Sequence, residues 1–236
     1  MRELKFALRL KRAAQRGCMA AIGMACLSIL AAGCSSESRI NPVFRLDDTQ
    51  IQRAITSGKN AVLGGVDPNN LLTSQMIDVN LRVSADVVLR SAGCCWPTQE
   101  VAYEIAMAGD STDAGVRRAV SAAMRAIERE MKCVATVQLP MDKDPGSITF
   151  ALRTNTGVEY PPIAVEKPVF IREVTSIYDP TAPAGALYLY VVRFPVRGGP
   201  GVPPVGPNVT SLNFVVKDGE AEAQVNFPIP QPPSRK

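Results

Sequence analysis

Cysteines and paired carboxylates are the residues of this chain that could carry chemistry, because its 236 residues include no histidine. Histidine is the commonest general base and metal ligand at neutral pH, so its absence excludes Ser-His-Asp and Cys-His catalytic sites. The carboxylate pairs Asp47–Asp48 and Asp142–Asp144 have the chemistry of a general acid and base. Aspartates also cap helices and initiate turns, and we expect both pairs to have those structural roles.

Three cysteines lie in the body of the chain, at Cys94, Cys95 and Cys133. With a carboxylate they could bind zinc, but their number and spacing match no structural zinc site. Lys59 follows a glycine, but the upstream glycine and the following Ser or Thr of a phosphate-binding loop are missing, which indicates a solvated lysine. The sequence therefore predicts no metal site, no cofactor and no catalytic residue.

The start of the chain has a composition of its own. Six basic residues and one acidic residue occupy positions 1–16, and an apolar run without charge extends from Gly17 to Gly33. A basic start, an apolar centre and small residues at the end are typical of a secretory signal peptide, which we assign to residues 1–33. A plain signal anchor is the alternative, but the run is shorter than the roughly 20 residues that a spanning helix needs.

This segment resembles the signal peptide of bacterial lipoproteins, in which a small residue precedes an invariant cysteine, here Gly33 and Cys34. The resemblance covers residues 1–35 only, and Ala31 stands where leucine is commonest in that family. It implies cleavage before Cys34, acylation of Cys34, and a membrane partner through the lipid anchor. In the Gram-negative version of the family, Ser35 implies delivery to the outer membrane, facing the periplasm or the cell surface.

The charge of the chain indicates no nucleic-acid partner once the signal segment is set aside. The whole sequence has 26 basic and 22 acidic residues, and 20 basic and 21 acidic residues remain after position 33. Nucleic-acid-binding domains carry a basic excess, which this near-neutral body lacks. We therefore expect no nucleic-acid partner.

An oxidising envelope compartment favours one disulfide among the three remaining cysteines. We expect Cys133 to pair with Cys94 or Cys95, because bridging the two adjacent cysteines would close a strained ring. One thiol is then left over. Buried free thiols, or redox or intermolecular use of the cysteines, are the alternatives.

Hydrophobic periodicity predicts a mainly helical region over residues 44–132, after a lipidated tether at residues 34–43. Residues 71–90 fit both the two-residue period of a strand and a helical stripe, and we favour the helix. Capping residues and the stripe place the other helices at Thr49–Asn60 with Asp48 as N-cap and Gly58 near the end, at Gln99–Ala108, and from Ser111 or Thr112 to Lys132.

Alternation with a period of two begins after Cys133 and predicts a β-sandwich-like domain over residues 133–228, followed by a disordered tail at 229–236. Lys217-Asp218-Gly219 between two alternating runs predicts a hairpin, and the proline-rich and glycine-rich stretch Pro195–Pro207 predicts an exposed loop. The expected fold class is α+β, a helical N-terminal half packed with a C-terminal antiparallel β-sandwich, of which the immunoglobulin-like domain is one form.

Three functions are compatible with these features. The first is a non-catalytic, membrane-anchored envelope lipoprotein with a structural or protein-interaction role and an envelope protein as partner. The second is a lipoprotein that binds a small solute, in a pocket near Trp96, Tyr103 or Tyr160. The third is a hydrolase without histidine, which would need a serine with a lysine base or a pair of carboxylates.

Overall fold

Helices and antiparallel strands both occur in the described part of the chain, which in this computed structural model comprises residues 40–73, 76–175, 183–199 and 201–230. Cys34 and the predicted signal segment lie outside the described residues. Two short 3-10 helices are Pro42–Phe44 and Pro145–Ser147. The helices are α1 Asp48–Leu63, α2 Pro68–Thr73, α3 Pro97–Ala108 and α4 Asp113–Ile127. The strands are β1 Ile77–Arg82, β2 Val88–Cys94, β3 Glu130–Leu139, β4 Thr149–Thr154, β5 Glu159–Tyr160, β6 Ala164–Val165, β7 Val169–Thr175, β8 Pro183–Pro195, β9 Ser211–Asp218 and β10 Ala221–Pro228.

The mixed α+β class is confirmed, but the prediction of a helical N-terminal half is wrong. Residues 71–90, for which we favoured a helix, contain the end of α2, all of β1 and the start of β2. A turn closed by the Val83 N–H and the Val87 carbonyl, 2.9 Å apart, joins the two strands. β2 pairs with β3 from Val88↔Gln138 to Cys94↔Cys133. The main-chain hydrogen-bond partners that favour a strand at residues 88–94 therefore lie far away in the sequence.

The strands form two antiparallel sheets. In the first sheet the order is β1-β2-β3-β8, and the far side of β8 pairs with both β6 and β7. In the second sheet the order is β10-β9-β4-β5. The predicted hairpin is confirmed as β9 and β10, which pair from Asp218↔Ala221 outward, with Gly219 at a positive φ of 60° in the turn.

The main core lies between the apolar faces of the two sheets. Alternate residues of β3, from Met131 to Leu139, are buried there together with Phe150 and Phe214 and with three residues of β8, namely Tyr190, Val192 and Phe194. The aromatic rings of Phe150 and Phe214 stack at 5.7 Å. Burial of these side chains is the largest favourable contribution to folding that the described residues show.

The helices build a second core from Ala54 of α1, Val101 and Ile105 of α3, and several residues of α4. Asp47 caps α1, because its side chain accepts a hydrogen bond from Gln50 N at 2.8 Å. Gly58 lies inside α1 and not near its end as predicted. A Cβ at position 58 would lie 2.7 Å from the Ile105 Cβ, so glycine at this position lets α1 and α3 approach closely.

Helix α4 begins after the predicted N-cap Thr112 but ends at Ile127, five residues before the predicted end at Lys132. Residues 130–132 belong to β3, whose hydrogen bonds to β8 continue to Glu130↔Pro195. Met131 fits the helical stripe in the sequence, yet in the structure it is buried against the main core. Residues 130–132, which were expected to form the last turn of the helix, are therefore part of the sheet.

The segment from Pro195 to Val209 is less exposed than its composition predicts, since Val196, Val205 and Val209 are buried. Asn41 holds this segment. Its N–H donates to the Val205 carbonyl at 2.7 Å, and its side-chain Nδ2 donates to the carbonyls of Gly206 and Val209 at 3.1 and 2.9 Å. Asn41 itself is buried, so the last residues of the predicted tether, 40–43, pack into the folded body.

The predicted tail also begins inside the fold. Ile229 is buried, and its N–H donates to the Thr210 carbonyl at 2.9 Å. Residues 231–236 lie outside the described residues. In the described ranges, no helix combines the length and the apolar character needed to cross a bilayer.

Candidate binding site

Cys94 and Cys133 are cross-strand partners in β2 and β3, and their sulfur atoms lie at disulfide distance. The expected long-range pairing is therefore confirmed, and it falls on Cys94. Cys95 is left as a free thiol on the opposite face of the sheet, packed with Val134 under α3. Burial, reinforced by the negative charge of Glu100 and opposed by Lys132, raises the pKa of Cys95 to about 12. At neutral pH this thiol is protonated and is a poor nucleophile.

A buried ion pair joins α3 to the first sheet beside Cys95. Lys132 Nζ lies 2.9 Å from Glu100 Oε1, and both side chains are nine-tenths or more buried. The same ammonium group lies 4.2 Å from the centre of the Tyr103 ring, a favourable cation–π distance. The other carboxylate oxygen, Glu100 Oε2, has no hydrogen-bond partner among the described residues.

The cavity beside this ion pair is too small to bind a substrate. Its volume is about 10 Å³, and its lining includes Phe44, Cys95, Glu100 and Lys132. A space of that size holds about one water molecule. The cluster of thiol, carboxylate and ammonium therefore has the components of an acid–base site but no room for a reacting molecule.

Further charges continue from this pair across the outer face of the first sheet. Arg193 on β8 lies 2.8 Å from Glu130 and 2.9 Å from Glu166, so the two carboxylates share one guanidinium group. Partial burial, followed by the negative charge of Glu100, raises the pKa of Glu104 on α3. These ion pairs link α3, β3, β8 and the segment after β6, so the charges hold the elements together.

The three aromatic residues proposed to line a pocket occupy separate places. Trp96 precedes α3 and packs at the border of the main core, and its main-chain N–H donates to Gln99 Oε1 at 2.7 Å. Tyr103 lies over Lys132, whereas Tyr160 is buried in the main core. None of the three residues lines any of the described clefts.

The largest described cleft lies instead at the edge of the two sheets, where the chain passes from β5 to β6. Its volume is about 490 Å³, within the range of roughly 300–1,000 Å³ typical of ligand sites. Phe150 and Tyr190 line its base, with ring centres 5.1 Å apart. One wall is the segment 145–149 and the other is the segment 162–168. We call this space the edge cleft.

The base of the edge cleft is chemically apolar despite its tyrosine. The Tyr190 hydroxyl donates to the Pro145 carbonyl at 3.0 Å, and burial raises the pKa of this phenol, so it stays neutral. Two charged residues, Glu166 and Lys167, lie at the mouth. Glu166 is paired with Arg193, whereas Lys167 makes no ion pair among the described residues.

The edge cleft opens at the point where the second sheet loses a strand pair. β4 and β5 pair at Leu152↔Tyr160 and Arg153↔Glu159, and the same register would place Pro162 opposite Phe150. Proline has no N–H to donate, so β5 ends at Tyr160. Thr154 directs its N–H toward the β5 side, where it bonds the Val158 carbonyl, and by alternation Phe150 directs its main-chain groups to that side as well.

Beside the edge cleft lies a run of exposed apolar side chains, which we call the apolar row. Its members are between 44% and 57% exposed and fall within nine consecutive positions. Most of the row is on β7, an edge strand that pairs only with β8 among the described strands. The members of the apolar row are Ile163, Val165, Val169, Phe170 and Ile171.

The sequence signals only part of this region. Pro161, Pro162 and Pro168 bracket a short apolar run, and prolines at those positions end strand pairing. What the sequence lacks is any indication that residues 145–150 and Tyr190 face this run, because those contacts join distant parts of the chain. In the described ranges, no group of three or more potential metal ligands occurs.

Comparison with protein-family models, with curated proteins and with solved structures finds no match to this chain.

Proposed function

We propose that this protein is a non-catalytic, lipid-anchored component of the bacterial cell envelope that works by binding another envelope protein. The apolar row carries this proposal. Exposed apolar side chains are normal when scattered singly, but five within nine positions at the edge of a sheet support a surface for association. The anchor is Cys34, and the proposed location is the outer membrane, with the body facing the periplasm or the cell surface.

The chemistry of the described residues supports a binding role over a catalytic one. The thiol, carboxylate and ammonium near Glu100 enclose no substrate-sized space, and the edge cleft has no paired nucleophile and base among its lining residues. A hydrolase without histidine therefore has the weakest support of the three functions. The immunoglobulin-like arrangement of the two sheets is part of the proposal and rests on their face-to-face packing alone.

The edge cleft favours binding of a small solute as a second candidate function. Its volume and apolar base suit a molecule with an apolar body. The solute would lie against Phe150 and Tyr190, and not near Trp96, Tyr103 or Tyr160 as the sequence suggested. Thermal-shift screening of envelope metabolites would reveal this function as a stabilisation that saturates with ligand concentration.

Cross-linking in native membranes tests the protein-binding role. Phe170→Lys places a charge in the apolar row, whereas Met107→Lys places the same charge at an equally exposed position on α3. We expect a defined cross-linked partner with the wild type and with Met107→Lys, and its loss with Phe170→Lys. A clean monomer in every cross-linking condition would contradict the proposal.

Mass spectrometry and fractionation test the anchor. The mature protein should begin at an acylated Cys34 and sediment with membranes, and Cys34→Ala should release it or leave its signal uncut. An unmodified amino terminus upstream of Cys34 in the purified native protein would remove the lipoprotein assignment.

A further inference from the structure

We infer that the edge cleft receives an extended segment of the protein partner, which adds to β4 beside Phe150 and presents an acidic group to Lys167. This inference rests on the proposed protein-binding function and names the kind of partner segment. The cleft supplies three things that such a segment needs, namely open main-chain groups, an apolar base and one positive charge.

The open main-chain groups come first. β4 is bonded along its whole length to β9 on one side, from Thr149↔Lys217 to Thr154↔Leu212, but to β5 only at two positions on the other. In the described part of the chain, no main-chain hydrogen bond joins Phe150 to the segment 161–163. An incoming strand can form hydrogen bonds with the main-chain N–H and carbonyl of Phe150, at the position where Pro162 prevents β5 from continuing.

The apolar base of the edge cleft favours apolar side chains in the incoming segment. A strand directs alternate side chains to one face, and those directed inward would contact Phe150, Tyr190 and Ile148. The Tyr190 hydroxyl already has the Pro145 carbonyl as partner, so an apolar side chain can cover the ring without leaving a donor unpaired. The partner segment therefore carries apolar residues at alternate positions.

Lys167 adds charge complementarity. It is exposed at the mouth of the cleft, and the neighbouring Glu166 is held by Arg193 at 2.9 Å. An aspartate, a glutamate or a terminal carboxylate at the end of the segment would pair with this ammonium group. Phe170 of the apolar row packs against Tyr188, which shares a face of the first sheet with Tyr190, so the partner can extend its contact from Val165 to Phe170.

Selection of short random peptides displayed on phage, with the full-length wild-type protein as target, tests the inference. We expect enriched sequences with alternate apolar residues and one acidic residue. N-methylation of the enriched peptide at the amides of one strand edge should abolish binding, and methylation at the amides of the other edge should not. Hydrogen exchange should show the Phe150 amide unprotected in the free protein and protected in the complex.

Matched variants locate the site. Val165→Trp fills the cleft and should abolish binding, whereas Val169→Trp, at a similarly exposed position outside the lining, should not. Lys167→Gln should weaken binding about threefold to tenfold, and Arg172→Gln should leave it unchanged. Circular dichroism confirms that each variant is folded.

Several results would overturn the inference. They are the absence of enriched peptides, equal losses with Val165→Trp and Val169→Trp, binding that tolerates methylation at either edge, or competition by palmitate alone, which would give the cleft to a small amphiphile. Cross-linking to a partner that is lost with Phe170→Lys would in those cases still support the protein-binding function. Failure of both experiments would remove both proposals.

Discussion

At Glu100 and Lys132 two opposite charges lie buried between α3 and β3, whereas along the apolar row five large apolar side chains lie in contact with solvent. Both regions border the first sheet, and each reverses the usual placement of its residue types. The buried charges have each other as partners within the chain. The exposed apolar groups are about half covered by the described residues, and the proposed partner would cover the rest.

The strongest test of this comparison is to remove one member of the buried ion pair, so that the other charge stays buried without a partner. Lys132→Ala should lower the free energy of unfolding by about 3–5 kcal/mol, because Glu100 stays buried without its partner. Urea denaturation measures the loss. Replacing both residues, as Glu100→Leu with Lys132→Met, should restore most of the stability. A loss below about 1 kcal/mol for the single change would contradict the burial of this pair.

Removal of the disulfide tests the same region through the unfolded state. Cys94→Ala with Cys133→Ala opens a loop with a sequence separation of 39 and should cost about 2–4 kcal/mol of unfolding free energy. Denaturation with and without dithiothreitol should give the same difference in the wild type. Stability unaffected by reduction would show that the two sulfurs are not bridged in the native protein.

The pH dependence of stability isolates the buried thiol. The pKa of Cys95 rises from 9.0 to about 12 on folding, so the unfolded state releases its proton first and stability falls as the pH rises above 9.0. Between pH 9 and about pH 10 the loss should be about 1 kcal/mol. Cys95→Ala should remove this contribution to the pH dependence of stability, and the contribution of the buried tyrosines should remain. Alkylation of Cys95 by iodoacetamide before unfolding would contradict its burial.

The smallest effect on stability should come from the apolar row. Phe170→Ala should change the free energy of unfolding by about 0.5 kcal/mol, because the ring is 52% exposed and its described ring contact is with Tyr188 at 5.9 Å. Met107→Ala is the matched exposed control. A loss of several kcal/mol for Phe170→Ala would mean that the row is part of the core and would remove the argument for a partner.

Local signals in the sequence predicted much of the fold correctly. Thr112 as an N-cap, Gly109 as a helix terminator and Asp218-Gly219 in a hairpin all act over a few residues, and all three are confirmed. The errors occur where distant pairing decides. Val83 and Val87 fit a helix as well as a strand, and only the position of β3 beside β2 selects the strand.

The candidate site was less predictable than the fold for the same reason. Pairing of Cys133 with one of the adjacent cysteines followed from the compartment and from ring strain, but the choice of Cys94 depends on the register of β2 and β3. The edge cleft needs Tyr190 to lie beside Phe150, and 40 positions of sequence separate them. No periodicity within either strand contains that information.

Asn41 is a point at which the start of the described chain is fixed to the folded body. Because its main-chain and side-chain hydrogen bonds reach Val205, Gly206 and Val209, the chain is already fixed to the folded body before the cap of α1. For a chain anchored at Cys34, as proposed, the intervening residues reach at most roughly 25 Å when fully extended. With such an anchor, a pull from the membrane side would be borne first by the hydrogen bonds of Asn41 to the segment around Val205.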